Sequence, residues 1–165
     1  MPDPTPQEMA TCVAVLKQLE PGFLPLELFD QIARLVRLPM VDVVPISYKE
    51  EHLHIGLIQR EVNDIWWPGM WHLPGTVLRS TDTMESAIQR LCDDELQIHA
   101  SDPPVSRGFL LHYSKRGAEV VLIYTVENCS FEDKSTIKWF PINELPQELV
   151  DSERDVIARI EESLE

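Results

Sequence analysis

The sequence predicts one mixed α/β domain, a sheet sandwiched between helices, with a helical extension at its N-terminal end. At 165 residues the chain has the length of a single domain. Hydrophobic residues (44%) and charged residues (25%) lie near globular averages. Segments with helical and strand periodicity interleave along the chain, which favours helices packed on a mixed sheet. We assign residues 1–38 to the extension and 39–165 to the domain.

The first sixty residues predict two helices followed by a hairpin. Apolar residues recur at helical spacing over 9–19, behind a proline-rich start that we expect to be frayed. A second helix is predicted over 25–35, with Pro25 in the first turn, where its missing N–H costs nothing. The period then changes, and 40–46 and 52–59 are predicted as the two strands of the hairpin.

The remainder of the chain predicts short strands around a strong helix. Strands over 71–73 and 77–79 flank Pro74 and Gly75. The strongest helical signal covers 83–96, with Asp82 as candidate N-cap and Glu85 three residues later, as in a capping box. Further strands are predicted at 108–113, 119–126 and 136–141, and an amphipathic helix at 151–164.

Charge and composition exclude several classes of partner. The net charge is −14, from 14 basic and 28 acidic residues, and this opposes binding of a nucleic-acid polymer. Apolar runs are far shorter than the ~20 residues of a membrane span, so no membrane association is expected. A small phosphorylated ligand remains compatible, because an arginine or a divalent metal can reverse the potential within one pocket.

The cysteines indicate the compartment. Cys12, Cys92 and Cys129 are odd in number and widely spaced, which predicts buried thiols in a reducing environment. The start of the chain also lacks the basic and apolar regions of a secretory signal. We therefore expect a cytoplasmic protein.

One stretch carries a motif. Residues 71–76, WHLPGT, are followed by Asp82 and by residues 90–98, RLCDDELQI. This stretch resembles the Nudix box, which reads G, five residues, E, seven residues, then R-E-U-x-E-E-x-G-U with U apolar. In an ungapped alignment Arg90, Glu95 and the apolar Ile98 match the box. Five positions at which the box has glycine or glutamate carry other residues, namely Thr76, Asp82, Leu91, Asp94 and Gln97.

The resemblance implies an α/β/α sandwich and a divalent cation, Mg2+ or Mn2+. Positions 91, 94 and 95 share one face of an α-helix, and oxygen ligands suit Mg2+. On the family pattern the metal ligands are the carbonyl of Gly75 and the carboxylates of Asp94 and Glu95. Leu91 removes one ligand and is expected to lie on the same face as Glu95. Arg90, Asp94 and Glu95 form the candidate catalytic group, in which Arg90 would orient the acidic cluster. The alternative is that Arg90 is only a surface charge without a role in the site.

A second resemblance is to the GDP-mannose mannosyl hydrolase branch of that family. It rests on 23–42, FLPLELFDQIARLVRLPMVD, and on the altered box with its leucine after the arginine. It implies cleavage of a nucleotide sugar with one Mg2+, Asp42 as a substrate-binding acid, Arg60 as a phosphate-binding arginine and Asp133 as a further metal ligand. Trp67, beside Arg60, is a candidate to stack on the base.

These observations leave alternatives open. The leading hypothesis is metal-dependent hydrolysis of a nucleoside diphosphate derivative, in particular a nucleotide sugar. The alternative is a catalytically weakened module of the same fold that binds a nucleotide or a protein, as the substitutions at Thr76, Leu91 and Gln97 suggest. A third hypothesis is an interaction domain in which the helical extension pairs two copies through its apolar face, as a homodimer. The acidic run 93–95 also has the alternative interpretation of a solvated helix face.

Overall fold

A computed structural model describes residues 3–22, 24–131 and 136–164 of the chain. Four α-helices occur among these residues, and the third continues as a π-helical segment over Leu91–Leu96. The helices are α1 (Pro6–Leu16), α2 (Leu26–Leu35), α3 (Met84–Arg90) and α4 (Asp151–Leu164). The strands are β1 (Leu38–Lys49), β2 (His52–Gln59), β3 (Trp71–His72), β4 (Gly75–Val77), β5 (Ile98–Ala100), β6 (Val105–Ser114), β7 (Gly117–Val126), β8 (Cys129–Phe131) and β9 (Lys138–Pro141).

Strand β1 organises a mixed sheet. The strand order is β3-β2-β1-β7-β6, with β9 paired to β2, and β5 and β8 form a separate pair. One edge of β1 runs parallel to β7, while its other edge pairs with β4 near the start and with β2 near the end. The start of β1 is therefore held next to β4, the strand that opens the box motif.

Helices cover both faces of this sheet, so the predicted α/β/α sandwich is confirmed. Successive residues of a strand point to opposite faces, which lets β1 contribute to two cores. Val41 and Val43 pack towards α3 and the π-helical segment, whereas Met40 and Val44 pack towards α4. All four side chains are buried, which explains why the alternation expected of a half-exposed strand is missing from the sequence.

The N-terminal helices differ in how they pack. Helix α1 begins at Pro6 and not at residue 9, because Thr5 and Glu8 form a capping box in which the Thr5 N–H donates to the Glu8 carboxylate at 2.8 Å. It buries none of its residues, and Cys12 is exposed, contrary to the prediction of buried thiols. Helix α2 packs on the core through Phe29 and Ala33.

The helix of the box motif, which consists of α3 and the π-helical segment and is called the box helix below, begins one residue later than predicted. Thr83 is the N-cap, and its hydroxyl accepts the Ser86 N–H at 3.2 Å. Asp82 instead accepts the Arg79 N–H at 2.9 Å, so its carboxylate closes the turn before the helix.

None of the helices described is long and apolar enough to cross a bilayer.

The helix ends at Gln97, the place of the last glycine of the motif. Gln97 lies in the left-handed region (φ 51, ψ 52), where a side chain is strained, and its buried Oε1 has no donor among the described residues. Gln97→Gly is expected to raise the free energy of unfolding by about 0.5–1 kcal/mol. The substitution removes the cost of a left-handed conformation for a residue with a side chain, and part of this gain is lost because glycine has more conformational entropy in the unfolded chain. Urea denaturation measures the change.

Gln97→Ala serves as the control for this prediction. It removes the buried amide oxygen and keeps the strained backbone, so it separates the two contributions. If Gln97→Gly were no more stable than Gln97→Ala, backbone strain at this helix end would not be what the motif glycine relieves.

Candidate functional site

A cavity of about 990 Å³ lies between the N-terminal helices, β4 and the box helix. Its volume is at the upper end of the range of about 300–1,000 Å³ typical of small-molecule sites. One wall is formed by apolar side chains of the helical extension. The polar and charged part of the lining comes from the loop after β2, from β3, from β4 and the residues after it, from the box helix and from the β6–β7 turn. It includes Arg60, Asp64, His72, Gly75, Arg79, Glu95 and Arg116.

Gly75 stands where two strands leave no room for a side chain. It pairs with Asp42 of β1, and a Cβ at this position would collide with Asp42 Oδ1. Val43 N–H donates to the Pro74 carbonyl at 2.9 Å, so the alternation of an antiparallel ladder makes Gly75 and Asp42 a non-hydrogen-bonded pair. The Gly75 carbonyl is therefore directed away from β1, as a ligand for a bound group requires.

Glu95 is the carboxylate of the box helix that lines the cavity. Burial raises its pKa, although the guanidinium groups of Arg90 and Arg60 act in the opposite direction. Asp93, Asp94 and Glu95 are all exposed, but Asp93 and Asp94 are not among the described residues that line the cavity. Asp93 instead accepts hydrogen bonds from the Gln89 amide at 2.8 Å.

Arg90 fastens the box helix to the strand before it. Its guanidinium donates to Asp82 Oδ2 at 2.6 Å and to Thr76 Oγ1 at 2.9 Å. Arg90 thereby joins α3 to β4, and it is not among the described residues that line the cavity.

Leu91 does not lie on the face of Glu95. Its side chain is 0% exposed and packs in the cluster that contains Val41 and Val43. The expectation that Leu91 faces the metal is therefore wrong: this position belongs to the core, and the turn of helix that carries it is π-helical.

Arg60 lies at the end of β2 with part of its guanidinium engaged. Its Nη1 donates to Asp64 Oδ2 at 2.9 Å, and its Cζ lies 5.1 Å from the centroid of the Trp67 ring. Its Nε is buried and has no acceptor among the described residues. Trp67 is itself only 6% exposed and also packs under Arg116, which makes it a support for the two arginines.

Behind Gly75 and Arg60 is a small polar cavity of about 20 Å³, room for one water molecule. The carboxylates of Asp42, Glu119 and Glu153 line it together with Arg60 and Arg116. Burial and the negative charge of Glu119 raise the pKa of Asp42 to about 7. Asp42 therefore lies one layer behind the large cavity, in contact with the backbone of Gly75.

The donor set decides which metal the cavity fits. Among the described residues no group of three or more histidine, cysteine or acidic side chains is arranged to hold an ion, and Asp133 lies outside those residues. Glu95 and the Gly75 carbonyl remain. Because Mg2+ commonly uses one or two carboxylates with water and substrate phosphates, this set fits a single Mg2+ that a diphosphate completes.

Sequence reasoning missed Arg79 and Arg116. Arg116 occupies the turn between β6 and β7, far along the chain from the box, and its Nη2 lies 3.0 Å from Glu119 Oε1. The predicted strands 108–113 and 119–126 did place Arg116 in a hairpin turn, but nothing local shows that this turn reaches the cavity. Only the pairing of β7 with β1 brings it there.

Burial also governs His72, another residue of the cavity lining. Burial and the nearby Arg60 lower the pKa of His72 to about 3, so its imidazole is neutral across the physiological range. It presents a neutral hydrogen-bonding group, and the positive charge of this lining comes from arginines.

Solved structures share this fold. The chain aligns with the NUDIX domain of Shewanella oneidensis NrtR complexed with ADP ribose at 21% identity and a TM-score of 0.61, covering 93% of this chain and 98% of that one. It aligns with a MutT NUDIX hydrolase from Burkholderia pseudomallei at 21% identity and a TM-score of 0.58, covering 74% and 98%. No family model matches the sequence, and no curated protein matches it significantly. The chain therefore has the Nudix fold.

A structure of Shewanella oneidensis NrtR complexed with a 27mer DNA is also similar to this chain. The alignment with that structure has 22% identity and a TM-score of 0.62, and covers 78% of this chain and 62% of that one. The chain thus spans about three fifths of the NrtR chain in that complex.

Proposed function

We propose that the protein hydrolyses a nucleoside diphosphate derivative with the help of a divalent cation. The observation that carries the proposal is that Glu95, Gly75 and three arginines line one cavity. Carboxylate and carbonyl oxygens are ligands for Mg2+, and guanidinium groups are ligands for phosphate. A diphosphate with its bound cation matches this combination of charges.

The roles of the residues follow from their positions. Glu95 and the Gly75 carbonyl hold the cation, whereas Asp94, which lies outside the cavity lining, is given no part in holding it. Arg60 and Arg116 neutralise phosphate oxygens, and their stacking on Trp67 limits the entropy lost when they bind. Arg90 keeps Glu95 in place through Asp82 and Thr76. When bound, Mg2+ supplies Lewis-acid polarisation of a phosphoryl oxygen and activation of water.

The substrate class is a proposal in its own right. The resemblance of the box to GDP-mannose mannosyl hydrolases favours a nucleotide sugar, and the NrtR domain of the same fold was solved with ADP ribose. A panel of nucleoside diphosphate sugars, ADP-ribose and nucleoside triphosphates, assayed with Mg2+ and Mn2+, tests the proposal. Absence of metal-dependent turnover of every member of the panel would contradict it.

A second candidate is a binding module that has lost turnover. It is favoured by Leu91, because a residue of the core stands where the motif has a metal-binding glutamate. If the protein is such a module, the Glu95→Gln variant should bind the nucleotide with the same affinity as the wild type. In the hydrolase, the same substitution removes both the metal effect and the activity.

Glu95→Gln is expected to abolish stabilisation by metal. The substitution keeps the shape of the side chain but removes the negative charge that holds the cation. In the wild type, Mn2+ at 100 times its dissociation constant should stabilise by about 2.7 kcal/mol. Thermal melting with and without Mn2+ measures the difference.

Asp93→Asn is the matched control. Asp93 lies on the same helical segment, is exposed and is bound to Gln89 outside the cavity lining. It should melt with the wild-type Mn2+ shift. A full Mn2+ shift in Glu95→Gln would remove Glu95 from the site.

Compartment and assembly belong to the same proposal. We place the protein in the cytoplasm, where its substrates and Mg2+ occur together. The exposed apolar residues Met9, Val13 and Val15 of α1 make pairing of two copies the predicted assembly, which sedimentation tests.

A further inference from the structure

The apolar wall of the large cavity has no role in binding a diphosphate. Its side chains come from the helical extension and from β4 and the residue after it, namely Leu16, Leu19, Leu26, Phe29, Val77 and Leu78. Leu16 and Leu26 are 42% and 47% exposed, although both border the cavity. The extension therefore presents apolar surface to the same space that Glu95 and the arginines line.

This wall begins close to the proposed metal site. Val77 lies two residues from Gly75 on β4, a separation of about 7 Å along a strand. A group attached to the outer phosphate of a diphosphate held at Gly75 and Glu95 can therefore reach the wall directly. The two regions form one continuous cavity of about 990 Å³, so one ligand can occupy both.

The chemistry of the wall selects the group it can hold. Leucine, valine and phenylalanine side chains offer no hydrogen bond to the hydroxyls of a sugar, and hydroxyls left unpaired there would oppose binding. A hydrocarbon chain has no such requirement and gains from leaving water. The wall thus favours an apolar substituent over a sugar.

We propose that the ligand of this site is a nucleoside diphosphate whose outer phosphate carries an alkyl or acyl chain lying against the helical extension. This inference rests on the proposed function, because it assumes that Glu95, Gly75 and the arginines hold the diphosphate, and it differs from that proposal in replacing the sugar with an apolar substituent. It assigns a task to the extension, which forms the part of the site that recognises the substituent.

Calorimetric titration of the full chain with Mg2+ tests the inference. The probes are the imidodiphosphate analogue of ADP, which resists hydrolysis at the bridge, and its octyl and ribosyl esters. The octyl ester should bind at least about tenfold more tightly than the unesterified analogue, since each buried methylene contributes about fourfold. The ribosyl ester should gain less than the octyl ester.

Two variants locate the chain on the wall. Leu16→Gln combined with Leu26→Gln should reduce the advantage of the octyl ester to about threefold or less, with the affinity of the unesterified analogue unchanged. Both positions are more than two-fifths exposed, so the variant should fold. Leu35→Gln is the control, because Leu35 lies on the same helix α2, is 71% exposed and is outside the cavity lining described.

Other outcomes would overturn the inference. If the octyl ester binds no more tightly than the unesterified analogue, or less tightly than the ribosyl ester, the apolar substituent is wrong and the proposed function stands. If the wall variant weakens the unesterified analogue equally, the base occupies the wall. If the wall variant dissociates a dimer without altering the affinity for any of the three probes, a second copy of the chain covers the apolar wall. If none of the three probes binds, the diphosphate site itself fails, and the proposed function with it.

Discussion

Leu91→Glu is expected to lower the free energy of unfolding by about 3–5 kcal/mol, the scale for an uncompensated buried charge. The side chain of Leu91 is 0% exposed and packs with Val41 and Val43 under the sheet. A carboxylate there would lie in an apolar core with no partner. It would either ionise at this cost or remain neutral through a raised pKa. Adding the glutamate of the motif therefore should not rebuild a metal ligand.

Melting experiments with and without Mn2+ distinguish these cases. Leu91→Met is the matched control, because it conserves volume and polarity and should cost less than about 1.5 kcal/mol. Leu91→Glu should melt far below this control and show no larger Mn2+ shift than the wild type. A Leu91→Glu protein that keeps its stability and gains affinity for Mn2+ would show that position 91 faces the cavity.

Spacing of four residues puts Leu91 and Glu95 on one face of a helix, and this spacing is the basis of the prediction. Burial in the sheet-facing core decides the outcome, because Leu91 and Leu96 are both 0% exposed and pack in the cluster that contains Val41 and Val43. Spacing alone shows which residues lie near one another on a helix, and it does not show which of them the sheet covers. Asp93, Asp94 and Glu95 are together on the outer side.

Long elements with one periodicity were predictable from the sequence. The strands 52–59 and the helix 151–164 agree with β2 and α4, and the interleaving of elements was sufficient for the sandwich. The three-residue strands β5 and β8 were missed, because three residues do not establish a period. They pair across thirty residues of chain, a contact that no local signal shows.

The candidate site was predictable within the box motif and at Arg60, which the resemblance to GDP-mannose mannosyl hydrolases indicated and which also lines the large cavity. The motif pointed to Gly75 and Glu95, and both line the large cavity. The apolar wall comes from helices whose residues look like ordinary amphipathic spacing in the sequence. The sequence predicts only that Glu119 begins a strand, since nothing in its neighbourhood indicates a buried carboxylate. Its role depends on β7 lying beside β1.

Glu119 holds the arginine turn in place. The Glu119 carboxylate, 3% exposed, accepts hydrogen bonds from His112 Nε2 at 2.8 Å, Ser114 Oγ at 2.7 Å and Arg116 Nε at 3.1 Å. Burial alone would raise the pKa of Glu119, but the hydrogen bond from His112, the charge of Arg116 and the hydrogen bond from Ser114 outweigh it. The pKa of Glu119 is therefore held below its ordinary value.

Glu119→Gln is expected to destabilise the protein by about 3 kcal/mol at pH 6, near the lower end for a buried pair that loses one partner. The amide NH2 must face a donor in this network, and Arg116 is left without its counter-charge. Part of the loss is offset, because removing the Glu119 charge lowers the pKa of the neighbouring Asp42. Urea denaturation between pH 3.5 and pH 8 measures the difference from wild type.

The sign of the pH dependence tests the assignment independently. A carboxyl whose pKa is depressed in the folded state binds fewer protons there than in the unfolded state, so it contributes stability above its ordinary pKa of 4.5. The difference between wild type and Glu119→Gln should therefore shrink as the pH falls below that value and Glu119 becomes protonated in both states. Glu127→Gln is the control, because Glu127 pairs with Arg107 at 3.8 Å but is 40% exposed, and it should cost less than about 1 kcal/mol. Equal effects of the two substitutions, or a difference that grows in acid, would show that Glu119 does not anchor Arg116 as a buried ionised group.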